Sequence, residues 1–326
     1  MVLILDKSAT LDCLDLPRLV DEIGDGMAAL SRGEAVQPLR TRVFSSKTGG
    51  LLASLPCYLS GEELFSAKLG FSHPTLRDES GIRHLTQIIA LGDTEGRLLC
   101  VMHGTMLGMY RTAACSALAA RDLSAPVSSH LAVIGCGPMG RAEAEVMAAV
   151  RPLSHITVHD PNRDAAETFR RVVENKTGIP VTLCASNEAA VERAPLVSLA
   201  TTSHTPVIRR AWLSNSCHVS ALGAHRKDQR EVDGATMAEA AVFIESRDAL
   251  MAEAGDYLIP IEEGLYGADH YVAEVGALAA GEVARQDWAD RLTVFKSTGV
   301  GVQDLVIARH VYQRALEKGL GVSVDF

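Results

Sequence analysis

The chain has 326 residues, 47% of them hydrophobic and 22% charged, with a formal net charge of −9, which describes a globular protein rather than a disordered or fibrous one. The acid excess argues against a general nucleic-acid binder or an anionic-membrane binder, since both need a cationic field. At this length two domains sharing a cleft are expected.

In chain order, the opening stretch lacks a basic region and turns acidic at Asp6, so it is not read as a signal peptide, and no apolar run reaches membrane-spanning length. Seven cysteines, at 13, 57, 100, 115, 136, 184 and 217, form no C-x-x-C pair and no Cys/His cluster. They read as reduced thiols of a cytoplasmic protein, and no metal site is expected. A helical stretch at 16–32 precedes strand-like segments at 42–44, 51–59, 63–69, 85–91 and 98–103, separated by turn signals such as Lys47-Thr-Gly-Gly50. This texture predicts a mixed or antiparallel α+β domain. A helix within 112–127 leads into Ser124-Ala-Pro, where the two domains are expected to meet.

Residues 131–140 read Leu-Ala-Val-Ile-Gly-Cys-Gly-Pro-Met-Gly, an apolar strand running into G-x-G-x-x-G, with a helix-forming stretch at 141–150. Gly135 permits the tight turn, Gly137 lets backbone approach a pyrophosphate, and Gly140 allows close helix-on-strand packing. The helix N-terminus offers free N–H groups to phosphate, which places Pro138 and Met139 against the cofactor. A second strand at 155–159 ends in Asp160, twenty residues beyond Gly140, where a carboxylate accepts from the adenosine ribose hydroxyls. Like charge disfavours a 2′-phosphate there, although Asn162 and Arg163 lie close, so NAD(H) is favoured and NADP(H) remains possible.

Further strands are read at 181–184, 196–201, 218–222 and 242–244, with an amphipathic helix at 164–175, completing a Rossmann-type doubly wound α/β sheet of about six strands. Thr201 and Leu222 end the fourth and fifth strands, at the carboxyl edge where ligands of open α/β sheets bind. A further strand at 292–295 and a helix at 303–318, capped by Gly319, close the chain. The last helix need not belong to the nucleotide domain.

Several segments together resemble the ornithine cyclodeaminase and mu-crystallin family: Thr41-Arg-Val43, Ala67-Lys-Leu-Gly-Phe-Ser-His-Pro74, Tyr110-Arg-Thr-Ala-Ala114, Gly135 to Gly140, Ala221-Leu-Gly-Ala-His-Arg-Lys-Asp-Gln-Arg-Glu231 and Val294-Phe-Lys-Ser-Thr-Gly299. The resemblance implies an N-terminal α+β substrate and dimerisation domain, 1–115 with 303–326, and a Rossmann domain, 116–302, in a homodimer. It places Arg42, Lys68 and Arg111 on the substrate carboxylate, Thr298 on the substrate, and Thr86, Arg111 and Ser297 on the cofactor. An arginine fork fixes a carboxylate in position and plane. An ammonium between two guanidinium groups should lose basicity, which makes Lys68 a candidate general acid as well as an anchor.

Two positions depart from the cyclodeaminase branch of that family. His225 stands where an aspartate would engage the substrate amine, and Ala53 stands where a glutamate is expected between Arg42 and Lys68. A diamino acid brings cationic nitrogens that call for carboxylates, so both losses point toward the ketimine-reductase and mu-crystallin branch. His225, an imidazole titrating near neutrality, is a second candidate proton donor, or else an orienting group. The implied activity is NAD(P)H-dependent reduction of a cyclic imino acid, Δ1-pyrroline-2-carboxylate or Δ1-piperideine-2-carboxylate, to proline or pipecolate. An ornithine or lysine cyclodeaminase and a cofactor-binding protein without turnover are the alternatives.

Overall fold

The computed structural model describes residues 1–77, 83–283 and 288–325. Its first sheet is built from β1 (Val2–Leu5), β2 (Ala35–Val36), β3 (Thr41–Phe44), β4 (Leu51–Leu59), β5 (Leu64–Arg77), β6 (Arg83–Asp93) and β7 (Leu98–His103). Strands β3 to β7 are joined by antiparallel pairings, while β1 runs parallel to β7, so the sheet is mixed. Helices α1 (Lys7–Asp12) and α2 (Leu16–Ser31) precede it, and α3 (Gly104–Leu123) follows. Asp15 caps α2, whose buried stripe of Leu19, Val20, Ile23 and Met27 has the period of an amphipathic helix. β5 extends well past the expected end at 69. The Ser72-His-Pro74 stretch lies at an irregularity in the β5–β6 pairing, where proline is tolerated.

The second sheet holds β8 (His130–Ile134), β9 (His155–His159), β10 (Val181–Leu183), β11 (Leu196–Leu199), β12 (His218–Ala221), β13 (Ala241–Ile244), β14 (Ala273–Glu274) and β15 (Thr293–Lys296). Among the described residues it has eight strands, all parallel, in the order β10-β9-β8-β11-β12-β15-β13-β14. The six strands read for this domain are all present, the further strand expected at 292–295 is β15, which inserts between β12 and β13, and the two-residue β14 was not expected. The doubly wound character holds, with the strand order reversing between β8 and β11. Helix α4 (Pro138–Val150) begins inside the glycine turn, and α5 (Arg163–Thr177) is capped by the Asn162 side chain and closed by Gly178 at φ 72°.

The two sheets meet through α3, which is buried along most of its length and contacts β6 of the first sheet as well as α4, β12 and β15. It runs through residue 115, so the expected division falls inside a continuous helix. The C-terminal helix (Gly301–Lys318) returns to pack on β4, β5, β6 and α2, and a short β16 (Val322–Val324) adds an edge to β1. The outer face of the first sheet carries Val36, Val43, Leu52, Phe65 and Phe71, all exposed. Among the described residues no helix is long and apolar enough to cross a membrane.

A buried carboxyl lies under the seam. Glu143 of α4 is 0% exposed; its Oε1 accepts from Ser116 (2.6 Å) on α3 and Ser198 (2.8 Å) on β11, and its Oε2 has no hydrogen-bond partner among the described residues. Burial pushes its pKa from 4.5 up to about 7, partly offset by the two hydroxyls. The native state therefore holds a proton that the unfolded chain releases, and stability must fall as pH rises from 4.5 through 7. Replacing Glu143 with Gln should flatten the dependence of melting temperature on pH across that window and leave the variant a few degrees more stable above pH 7. Parallel melting curves for the two proteins would assign the proton to another group.

Candidate functional site

The carboxyl edge of the second sheet carries the glycine turn. Gly135 sits at φ 97°, and a Cβ there would come within 2.6 Å of the Ala200 carbonyl oxygen. A Cβ on Gly140 would strike the Gly135 carbonyl, whereas one on Gly137 would meet nothing within 4 Å, which leaves open space over the helix start. Gly137 caps α4, with Pro138 and Met139 in its first turn, where backbone N–H groups have no partner inside the helix. One strand over, Asp160 accepts from Cys136 N and Asn162 N, both at 2.8 Å, so its carboxylate is fixed at the lip of the turn. Donors for a pyrophosphate beside an acceptor for ribose hydroxyls fit a dinucleotide. Asn162 is committed to capping α5, while the Arg163 side chain is 88% exposed.

Thr201 and Leu222 lie just beyond the ends of β11 and β12 rather than within them. Their loops share one anchor: Glu231, fully buried, accepts from Thr201 N (2.7 Å), Gly223 N (2.7 Å) and Ala224 N (3.0 Å). Burial and the neighbouring Asp256 push its pKa up. Lys296 ties the same loop from below, donating to the carbonyls of Ala221 and Ala224 and pairing with Asp256 at 2.9 Å. His225 stands on this loop with Nδ1 2.9 Å from the Gly223 carbonyl. A carbonyl only accepts, so Nδ1 carries the hydrogen and Nε2 of the neutral ring is an acceptor. Burial, then Arg40, lowers its pKa to about 4, which corrects the expectation of an imidazole titrating near neutrality.

Facing this edge is the inner side of the first sheet. Arg42, Ala53, Gly70 and Gln87 form one cross-strand row, and Lys68 lies one step along between Leu55 and Ile89. Residues in register share a face, so the face continues from Arg42 to Lys68. Lys68 Nζ lies 2.8 and 2.7 Å from the two oxygens of Asp304 on the C-terminal helix, and Arg111 Nε of α3 donates to the same carboxylate at 3.0 Å. All three are buried. The Lys68 pKa falls to about 7; burial is the largest cause and Arg111 the next, so like charge is secondary to desolvation. Burial pushes Asp304 up, but Arg111 and Lys68 outweigh it and hold the carboxyl below its ordinary value.

The third cation acting on Lys68 and Asp304 is Arg40 rather than Arg42. Arg40 donates to Glu253 (2.8 Å) and to the carbonyls of Thr298 (3.0 Å) and Gly299 (3.2 Å). Arg42 pairs with the other Glu253 oxygen at 3.0 Å and stays 28% exposed, at the rim. Ser297 and Thr298 are buried with their hydroxyls turned toward Glu245, at 2.8 and 3.4 Å, so neither side chain is free to reach the cleft as expected. Thr86 is displaced more plainly. It pairs with Phe71 and lines a groove with Val43 and Phe71 on the outer face, because the strand's period of two turns it away from Lys68. Gln87 takes the inward position, its side chain against Gly70 and Gly108.

Arg40, Gln87, Glu231, Glu245, Glu253, Lys296, Gln303 and Asp304 escaped the sequence reading. One signal was present: Gln303 and Asp304 interrupt the apolar run of Val302, Leu305 and Val306 on a helix face that proves wholly buried, and polar groups on such a face must have partners.

The Ornithine cyclodeaminase/mu-crystallin family model matches residues 4–319. The ketimine reductase mu-crystallin of Rattus norvegicus is 31% identical over 90% of this chain and 91% of its own. The structure of Thermococcus litoralis Δ1-pyrroline-2-carboxylate reductase with NADH and L-proline superposes with a TM-score of 0.94, at 28% identity, covering 99% of this chain and 100% of that one. An archaeal alanine dehydrogenase dimer with bound NAD gives 0.91 at 25% identity, covering 100% and 99%.

The two faces of β6 make opposite predictions. Gln87→Ala should lower catalytic efficiency by about fivefold, as for loss of one polar contact, and Thr86→Ala should leave it unchanged. Steady-state kinetics giving the reverse order would mean that the register of β6 is misassigned.

Proposed function

The chain belongs to the ornithine cyclodeaminase/mu-crystallin family, and from that premise we propose that it reduces a cyclic imino acid, Δ1-pyrroline-2-carboxylate or Δ1-piperideine-2-carboxylate, to proline or pipecolate. The observation that carries this reading is the pairing of a buried cationic wall, Lys68, Arg111 and Arg40, with a neutral His225 that presents an acceptor nitrogen. The wall suits one carboxylate. The acceptor suits the single N–H of a protonated ring imine, and no carboxylate stands at 53 or 225 to take the second amine of ornithine or lysine. Glu253 does not supply one, since both its oxygens are engaged by Arg40 and Arg42.

NADH, when bound, supplies hydride to the C=N carbon, whose electron pair moves to nitrogen. This chain's residues do the rest. Arg111 and Arg40 orient the carboxylate, and Lys68, with its pKa near 7, donates the proton that makes the imine nitrogen cationic before transfer. The N–H so formed lies along the line to Lys68, so His225 Nε2 takes it as a second, shared acceptor and holds the ring plane, an orienting role rather than an acidic one. Relatives were solved with NADH and NAD; a carboxylate at Asp160, held at the lip of the glycine turn, supports NADH over NADPH. The exposed apolar stripe on the outer face of the first sheet favours a homodimer, since a patch of that kind marks an interaction surface.

The purified protein should oxidise NADH when given either cyclic imino acid, with a weaker response to NADPH that Asp160→Ala strengthens. Lys68→Ala should reduce kcat by about a thousandfold. Because protonated Lys68 is the active form and its folded pKa lies below the ordinary lysine value, kcat/KM should fall as pH rises above about 7. Lys68→Arg keeps the charge but does not titrate there, so a limb that survives this change would belong to the imine itself. Release of ammonia from ornithine or lysine with NAD, or no turnover of any of these compounds, would overturn the reading.

The dimer is tested separately. Phe71→Asp should halve the mass measured by sedimentation, and a wild-type protein that sediments as a monomer would leave the apolar stripe unexplained.

A further inference from the structure

Glu245 follows β13 directly and is 1% exposed. Its carboxylate receives neutral donors only, among the described residues: Ser297 Oγ (2.8 Å) and Gln303 Nε2 (2.7 Å) on Oε1, and Thr298 N (2.8 Å), Gly299 N (2.6 Å) and Thr298 Oγ1 (3.4 Å) on Oε2. Two routes lead from it to the cationic wall. Along one, Gln303 turns its amide oxygen to Arg111 Nη1 at 2.5 Å. Along the other, the turn whose N–H groups Glu245 holds offers the carbonyls of Thr298 and Gly299 to Arg40.

We infer that Glu245 is a positioning residue that sets both guanidinium groups for the substrate carboxylate, acting through Gln303 on Arg111 and through the 298–299 turn on Arg40. The logic is that of donor and acceptor inventory. An amide at 303 has one accepting and one donating end. Because position 245 can only accept, the nitrogen of Gln303 must face it and the oxygen must face Arg111. A flipped amide would set N–H against N–H at Arg111 and oxygen against oxygen at Glu245. The turn is equally constrained: Gly299 sits at φ 79°, and a Cβ there would come within 2.6 Å of Arg111 Nη1, so the backbone itself packs against the guanidinium. A carboxylate that grips this turn and the 303 amide together fixes the angle between Arg40 and Arg111, and a planar anion needs that angle held.

This inference rests on the imino-acid reading, and wild-type turnover of Δ1-piperideine-2-carboxylate tests that reading alone; with turnover present, the variants below test Glu245. In Glu245→Gln the new amide must aim its N–H either at Gln303 or at the turn, donor against donor. KM for the imino acid should rise at least about tenfold, with kcat changed by less than threefold and the Kd for NADH, read by fluorescence, within twofold. Gln303→Glu alone should also raise KM, because two carboxylates then face each other. The double exchange Glu245→Gln with Gln303→Glu restores the pairings to the turn and to Arg111: the amide now at position 245 accepts from Thr298 and Gly299 and donates to the carboxylate now at position 303, whose other oxygen takes Arg111, while the Ser297 hydroxyl turns from donor to acceptor of the amide's second N–H. It should bring KM back to within about threefold of wild type.

A role confined to folding predicts something else, namely a lower melting temperature with KM unmoved in whatever protein remains folded. An unchanged KM in Glu245→Gln would overturn the inference. So would a double variant that regains stability but keeps the raised KM, and the comparison between double and single exchange stands even where one single variant is poorly folded.

Discussion

One buried carboxylate, Asp304, holds the substrate side of this molecule together. It joins three elements that are distant in sequence: β5 through Lys68, α3 through Arg111, and the C-terminal helix that carries it. Desolvating three charges is costly, and such a cluster persists only when geometry and hydrogen bonds are nearly complete. Here the cluster keeps an excess of positive charge, with Arg40 adding to it. On the proposed reading, an incoming carboxylate meets a site that is already desolvated and already short of negative charge, and little reorganisation is left to do. Removing Asp304 would instead strand two cations in the core.

The cofactor side solves a different problem by related means. Loops at the carboxyl edge of a parallel sheet must face a polar ligand without a ladder of their own. Glu231 gathers three backbone N–H groups from the loops after β11 and β12, Asp256 accepts from Glu231 N and Val232 N, and Glu245 gathers two more from the turn after β15. Each acid replaces a missing strand neighbour. Lys296 closes the set by donating to the carbonyls of Ala221 and Ala224, so loop groups beyond the strand ends have partners outside the ladder.

What the sequence disclosed follows from how local each signal is. The glycine turn and Asp160 were legible because they lie within some thirty residues of one another along the chain, and the Gly319 cap was legible as a purely local signal. Lys68 and Arg111 were legible through resemblance, but their shared partner was not, since 236 residues separate Lys68 from Asp304. Alternation along β6 shows that Thr86 and Gln87 face opposite ways; only the pairing with Gly70 and Phe71 says which one faces the cleft. Arg40 and Arg42 pose a similar choice, decided by the reach of Glu253 and of the Thr298 carbonyl rather than by any feature of residues 40–42. The insertion of β15 into the sheet was hidden for a further reason: an apolar run four residues long fits any vacant place in a parallel sheet equally well.

On the proposed reading, the charge state of His225 decides what kind of nitrogen the cleft accepts. A protonated imidazole would repel an iminium, and an aspartate in its place would attract a primary ammonium with several N–H donors. A neutral ring with Nδ1–H bound to the Gly223 carbonyl offers one lone pair, which matches one N–H. Arg40, already required on the carboxylate side, is the charge that after burial does most to keep this ring neutral. In the proposed reaction the same guanidinium would draw the substrate's anion and keep a competing cation from forming beside its nitrogen. On the proposed reading, the carboxylate and the imine nitrogen sit on adjacent atoms of the substrate, so one side chain that bears on both ties carboxylate recognition to imine recognition, and a substrate that lacks either group loses the benefit of both.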